Sequence, residues 1–180
     1  MKENRTWYLF SYKVPPEPST LRVRIWRNLK ALGVLYIQQS VCIVPKTLEV
    51  EQKLAKIKML IDDHAGEAFI IEIKKFAHYS ECELIELFHV QRTSEYNELL
   101  ENCRLFLQEL KNKEASHDLN IEESEIKLNR LKRCYRKMMK KDYFKHSLLR
   151  DAKGCLQKCE EQLTVYIEMM YESKGATYTS

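Results

Sequence analysis

The chain has 180 residues, enough for one domain or a small domain with an extension. Its 44% hydrophobic content can fill a core, its 31% charged content points to long solvated helices, and no apolar run approaches the ~20 residues that span a bilayer. The first ten residues, MKENRTWYLF, have neither the apolar core nor the cleavage site of a secretory signal, so a cytoplasmic protein without membrane contact is expected.

Six cysteines, at 42, 82, 103, 134, 155 and 159, are scattered through expected strands and helices. In a cytoplasmic chain this reads as reduced packing thiols rather than bridges or a metal site.

Trp7 to Val14 is rich in aromatic and β-branched residues and reads as a buried strand. Pro15, Pro16 and Pro18 then forbid strand continuation and an early helix. Ser19 is a good N-cap for a helix whose core stripe is Leu21, Ile25, Leu29 and Leu32, and Gly33 follows as its C′ residue. The other face carries Arg22, Arg24, Arg27 and Lys30, with Trp26 at its border. Two readings stand side by side. The arginines are either a solvated surface paired with nearby carboxylates, or an anion site whose guanidinium forks match phosphate or a tetrahedral oxyanion.

Val34–Ile37 and Val41–Val44 are short apolar runs separated by polar residues, read as a strand pair rather than one bent strand. Leu48 to Ile61 places apolar residues at 50, 54, 57, 60 and 61 on one helical face, closed by Gly66. Ala68 to Ile73 is a continuous apolar run and is expected to be a central strand. The order βαββαβ is that of the ferredoxin-like fold, over residues 1–78. The fold class expected is therefore α+β.

From about Glu81 the period changes. Tyr96, Leu99, Cys103, Phe106 and Leu110 alternate three and four apart, as on a coiled-coil seam, and Leu84, Ile85 and Phe88 before them are expected to pack back onto the first domain. Leu128, Leu131, Tyr135 and Met138 continue the seam on a second helix. It returns at Leu149, Ala152, Leu156, Cys159, Leu163, Tyr166 and Met170. Lys140 to Ser147 breaks the pattern, and Asp142 is a candidate cap for a new helix beyond the break. An antiparallel, coiled-coil-like helical hairpin is expected over 79–173, with a flexible tail over 174–180.

Residues 81–125 carry twelve acids against four Lys or Arg, whereas residues 127–150 carry ten Lys or Arg against Asp142 alone. An acidic helix folded on a basic one stitches the hairpin by ion pairs. Ten cations exceed what that pairing needs, so a basic stripe of Arg130, Arg133, Lys137, Lys140 and Lys141, with Tyr143 and Phe144 at the break, is a candidate surface for nucleic-acid backbone.

Catalytic motifs are missing. No GxSxG, P-loop, HExxH or CxxC occurs, and no enzymatic activity, cofactor or metal is expected. Cys155 and Cys159 lie four apart without two further ligands nearby and read as core, and Asp62-Asp63-His64 reads as a polar helix end.

The run SYKVPPEPSTLRVRIWRNLKALGVLYIQQSVCIVP, the EY at 95–96, the DYF at 142–144 and the spacing on to Cys159 and Tyr166 resemble the N-terminal region of the chromate-resistance regulator ChrB, through about residue 172. That resemblance implies a cytoplasmic bacterial protein linked to chromate efflux, repressing its operon until chromate arrives. Members of that family continue into a separate C-terminal domain, whereas this sequence ends at Ser180; if sensing or DNA binding resides in that domain, a standalone module with an unassigned role is expected. At fold level the opening domain is similar to those of PaaX-type repressors and of small CRISPR-associated nuclease and adapter proteins. In the nucleases a metal-binding Asp ends the first strand; here that region is Ser11, Tyr12 and Lys13, which argues against metal-dependent cleavage. Fold analogy also implies a homodimer.

The leading expectation is thus a non-enzymatic regulatory or sensing protein of chromate stress. Its basic helix faces would bind chromate or a related oxyanion, DNA phosphate, or both. The alternative is a protein-interaction scaffold working through the hairpin, which would keep its function after the arginines are changed to glutamine. A nuclease or chromate-handling enzyme comes third.

Overall fold

The computed structural model describes residues 5–17, 19–116 and 120–176. The chain divides into two compact units. The first takes in the chain up to Gln91 together with Lys140–Phe144; the second takes in Arg92–Met139 and the chain from Lys145 on.

The first unit holds β1 (Trp7–Lys13), α1 (Ser19–Leu32), β2 (Leu35–Gln38), β3 (Val41–Pro45), α2 (Leu48–Asp62) and β4 (Glu67–Ile73). The four strands form one antiparallel sheet in the order β2-β3-β1-β4, the ferredoxin-like arrangement. Its helix-bearing face is packed by Tyr8, Phe10, Cys42 and Val44 from the strands, Ile25 and Leu29 from α1, and Leu54 and Ile61 from α2.

Along β1, alternate residues point to opposite faces. Trp7 therefore joins Ile43, Leu84 and Phe88 in a separate cluster, to which Phe76 and Phe144 add their rings. With both faces covered, β1 reads as a nearly unbroken apolar run. Leu84 and Phe88 come from the first turns of α3 (Glu81–Ser116), which pack on the sheet as their spacing predicts.

Local signals explain most boundaries. Gly33 adopts φ +79°, and its N–H bonds to Leu29 O at 3.1 Å, closing α1. Thr47 caps α2, its hydroxyl accepting from Val50 N–H at 3.1 Å. The β2–β3 hairpin turns through Ser40 at φ 64°, with a register shift between Tyr36 and Gln38. Asp62 pairs with Lys58 and His64 Nδ1 lies 2.9 Å from Leu60 O, so this segment is a polar helix end.

Gly66 closes α2 as expected, its N–H bonding to Ile61 O at 3.0 Å, while the left-handed residue is Ala65 at φ 55°. Gly66 also serves close approach: a Cβ there would lie 2.8 Å from Lys13 O and 2.7 Å from Ile61 Cγ2. Two expectations are corrected. α1 begins at Ser19 itself rather than after it, while Pro18 lies outside the described residues. And β4 is an edge strand, not a central one. Its apolar run misleads because only Ala68 is fully buried, while Phe69 and Ile71 on the opposite face are 61% and 50% exposed.

The second unit is built from α3 beyond Gln91, α4 (Ile121–Met139) and α5 (Leu149–Ala176). Its core is the predicted seam: Tyr96, Leu99, Cys103, Phe106 and Leu110 meet Leu128, Leu131 and Met138, and Ala152, Leu156, Cys159, Leu163 and Tyr166. Across the α3–α4 pair, Glu109 and Glu123 bracket Lys113 and Lys127 with four ion pairs of 2.7–3.4 Å. α5 begins at Leu149, seven residues past Asp142; Leu149 N–H bonds to the His146 carbonyl at 3.0 Å, and His146 Nδ1 accepts from Leu148 N–H at 3.1 Å just ahead of the helix. Helix α5 runs to Ala176, three residues into the segment expected to be a flexible tail, whose last four residues, 177–180, lie outside the described residues. Among the described residues no helix is long and apolar enough to cross a membrane.

Candidate anion-binding site

Helix geometry sorts the four cations of α1. Residues four apart share a flank, so Arg22, Trp26 and Lys30 stand together, with Lys30 Nζ 4.8 Å from the centre of the Trp26 ring. Arg24, Asn28 and Ala31 stand on the flank that faces α2. There they line a groove of about 340 Å³ with Lys53 and Lys56, over an apolar floor of Leu32, Ile57 and Leu60. A neighbouring cleft of about 350 Å³ is lined by Ser19, Thr20, Val23, Arg24, Arg27 and Asn28. Arg24 and Asn28 are common to both. The structure thus brings Arg24 and Arg27 together and leaves Arg22 and Lys30 out.

The charge balance of this site is uneven. Lys53 pairs with Glu49 at 2.6 Å, and its hydrogen bond, with a smaller contribution from Lys140, holds the Glu49 carboxyl below its ordinary range. Arg24, Arg27 and Lys56 have no carboxylate partner among the described residues. An exposed guanidinium fork, an amide N–H₂ and an ammonium around one groove supply donors for several oxygens of one anion. Sequence reasoning does not single out Asn28, Lys53 or Lys56, although a signal for the lysines exists: with an α2 stripe at 50, 54, 57 and 61, positions 53 and 56 flank it on the solvent side.

Lys140 is exposed and Lys141 half-buried, the latter's Cβ 2.7 Å from where a Cβ on Gly33 would stand. Tyr143 donates its hydroxyl hydrogen to Leu32 O at 2.6 Å. Phe144 packs against Trp7 and Phe88 at ring-centre distances of 5.8 and 5.3 Å, with Arg5 5.1 Å from its centre. Both aromatic rings are engaged in fixing the turn onto the first unit.

Arg130, Arg133 and Lys137 recur at three- and four-residue spacing on the exposed face of α4, in the second unit. The acidic partners of this helix are spent elsewhere, Glu109 and Glu123 on Lys127 and Glu160 on Lys132 at 2.7 Å. Among the described residues these three cations have no carboxylate partner, so α4 keeps a basic stripe beyond its internal pairing.

The family model described as "Protein ChrB, N-terminal" matches residues 22–177. A curated relative, Protein ChrB of Cupriavidus metallidurans, is 26% identical over 92 residues, which is 51% of this chain and 28% of that protein. The matched region is thus under a third of the relative's length. No solved structure matches the chain significantly. With nearly all of α1 through α5 inside the matched span, the chain belongs to the ChrB N-terminal family.

Proposed function

We propose that this chain is a non-catalytic regulatory module of chromate resistance that senses a tetrahedral oxyanion, chromate or a relative of it, in the groove between α1 and α2. The observation that carries this reading is Arg24, which lines two adjoining cavities with Arg27, Asn28 and Lys56 and has no carboxylate partner among the described residues. Family membership supplies the link to chromate. The groove is open, so affinity rests on charge-assisted hydrogen bonds and falls with ionic strength.

The test is a titration with chromate, sulfate and phosphate at two salt concentrations. The double variant Arg24→Gln, Lys56→Gln abolishes binding, whereas Arg22→Gln, Lys30→Gln on the other flank leaves it within about twofold. Equal affinity in both double variants would remove the groove from consideration.

A second reading, DNA backbone held by α4, is favoured by the Arg130, Arg133 and Lys137 stripe, which has no carboxylate partner among the described residues. DNA released by chromate would join the two readings into one repressor mechanism; loss of neither on changing these cations would leave a protein-interaction scaffold. Self-association is the expectation for edge strand β4 with its exposed Phe69 and Ile71, and sedimentation of the same samples reads it out.

A further inference from the structure

Strand β4 pairs with β1 on one side, and no strand pairs with its other side among the described residues. This edge carries none of the devices that keep edge strands apart. It is seven residues long, has no proline, and keeps an unbroken register with β1 from Trp7↔Ile73 to Lys13↔Glu67, without a bulge. Ala68 and Ile70 face α1 and α2, so Glu67, Phe69, Ile71 and Ile73 share the opposite face. On that face Leu84 and Phe88 cover Trp7 and Ile43, whereas Phe69 and Ile71 stay 61% and 50% exposed.

We propose that this edge binds a second copy of the chain, β4 pairing antiparallel with its counterpart about a two-fold axis through Ile71, so that two four-stranded sheets join into one of eight strands. This interface rests on the self-association expected of β4 and fixes its register. Pairing satisfies the outward backbone groups of both edges and buries the exposed apolar side chains against each other.

Symmetry and charge select the register. The axis passes through a residue rather than between two, because a one-residue slip would set a helix-facing side chain beside an outward-facing one. An axis at Glu72 opposes two carboxylates. Axes at Ile70 and Phe69 leave Glu67 opposite Ile73 and Ile71, without a counter-charge. With the axis at Ile71, Phe69 meets Ile73, Ile71 meets its own counterpart, and Glu67 lies opposite Lys75 just past the strand end. Glu67 and Lys75 are exposed, and neither pairs with another charge among the described residues. Symmetry places that complementary pair at both ends of the joined strands.

Sedimentation of the full chain over a concentration series is expected to show a dimer. Ile71→Lys opposes two ammonium groups on the axis and is expected to raise the dissociation constant at least about tenfold, with circular dichroism reporting an unchanged fold. Glu67→Lys weakens the dimer, and adding Lys75→Glu restores it. Residues directly opposite in an antiparallel pair hold their Cα atoms about 4.5–5.5 Å apart, within disulfide reach. Under mild oxidation Ile71→Cys is therefore expected to link the two copies at position 71, mapped by mass spectrometry without reduction. Phe69→Cys does not link to its counterpart, which lies about 13 Å further along the edge. A dimer that survives Ile71→Lys, or that links through Phe69→Cys and not Ile71→Cys, would overturn this interface while leaving self-association standing. A monomer at every concentration would remove both.

Discussion

At Gly33 the backbone takes φ +79°, and an added Cβ would lie 2.7 Å from Lys141 Cβ. Gly33→Ala is expected to cost about 1–2 kcal/mol for the left-handed backbone alone, more with the contact, as read by urea unfolding. Gly154 is the opposite case: it sits inside α5 with nothing within 4 Å of an added Cβ, so Gly154→Ala stabilises by roughly 0.5–1 kcal/mol. Gly33 was legible from its position after an apolar stripe. Gly66 was legible only as a breaker, because its real constraint, the nearby Lys13 carbonyl, comes from another strand. The candidate site divides the same way. A list of cations on α1 contains Arg24 and Arg27 but does not say that Arg22 and Lys30 face away from the groove, since that depends on where α2 lies. Asn28, Lys53 and Lys56 acquire meaning only once both helices cover one sheet face. Cys42 was legible as a packing thiol: burial pushes it up to about 12, far from reactivity at neutral pH.

At the scale of the element, α5 starts just after a buried histidine that holds the turn leading into it. His146 is buried and stacks on Tyr96 with ring centres 4.9 Å apart. Its Nδ1 accepts from Leu148 N–H, so the ring proton is on Nε2, which donates to Thr93 Oγ1 at 2.9 Å. His146→Ala removes the Leu148 N–H acceptor, the stack on Tyr96 and the Thr93 hydroxyl partner together and is expected to cost about 1–3 kcal/mol in chemical unfolding. Sequence pointed to Asp142 because aspartate is a common cap; the helix instead begins at Leu149, after a turn fixed by tertiary contacts that periodicity does not encode. The α3–α4 pairing, by contrast, was legible from charge segregation, and it sets a pH dependence. Hydrogen bonds from Lys113 and Lys127 hold Glu109 below the ordinary carboxylate range, and those from Lys127 and Lys113 do the same for Glu123. A carboxylate lowered in the folded state contributes stability above its unfolded value of about 4.3, and loses it as pH falls through the folded value. The two lysines are raised by the same partners, so their contribution is present below about 10.4 and lost as pH rises beyond it. The urea midpoint is therefore expected to be flat from about pH 6 to 9 and to fall below about pH 4. Glu109→Gln makes that acid limb shallower, and added salt shrinks the difference.

Over the whole molecule, the α1–α2 groove belongs to one compact unit and the α4 stripe to the other, so neutralising one leaves the other's side chains unchanged. Each unit answers to a different sequence signal. The sheet unit follows from strand and helix alternation over the first 73 residues, and the helical unit from a heptad seam that α3 begins at Tyr96. The net charge of +4 understates both basic surfaces, because acids on α3 and α5 are consumed in internal pairs. Counterion release makes the two surfaces separable by experiment. If α4 tracks a DNA backbone, each cation in contact with a phosphate adds about 0.9 to the slope of log affinity against log salt. Arg130→Gln, Arg133→Gln and Lys137→Gln together are expected to lower that slope by about 2 to 3, measured by fluorescence anisotropy on duplex DNA at several salt concentrations. Arg24→Gln with Lys56→Gln would leave the slope in place while removing any response to chromate. A slope that instead falls with the groove variant and not with the α4 variant would move the nucleic-acid surface to the sheet unit. It would also set the oxyanion in competition with DNA phosphate for Arg24.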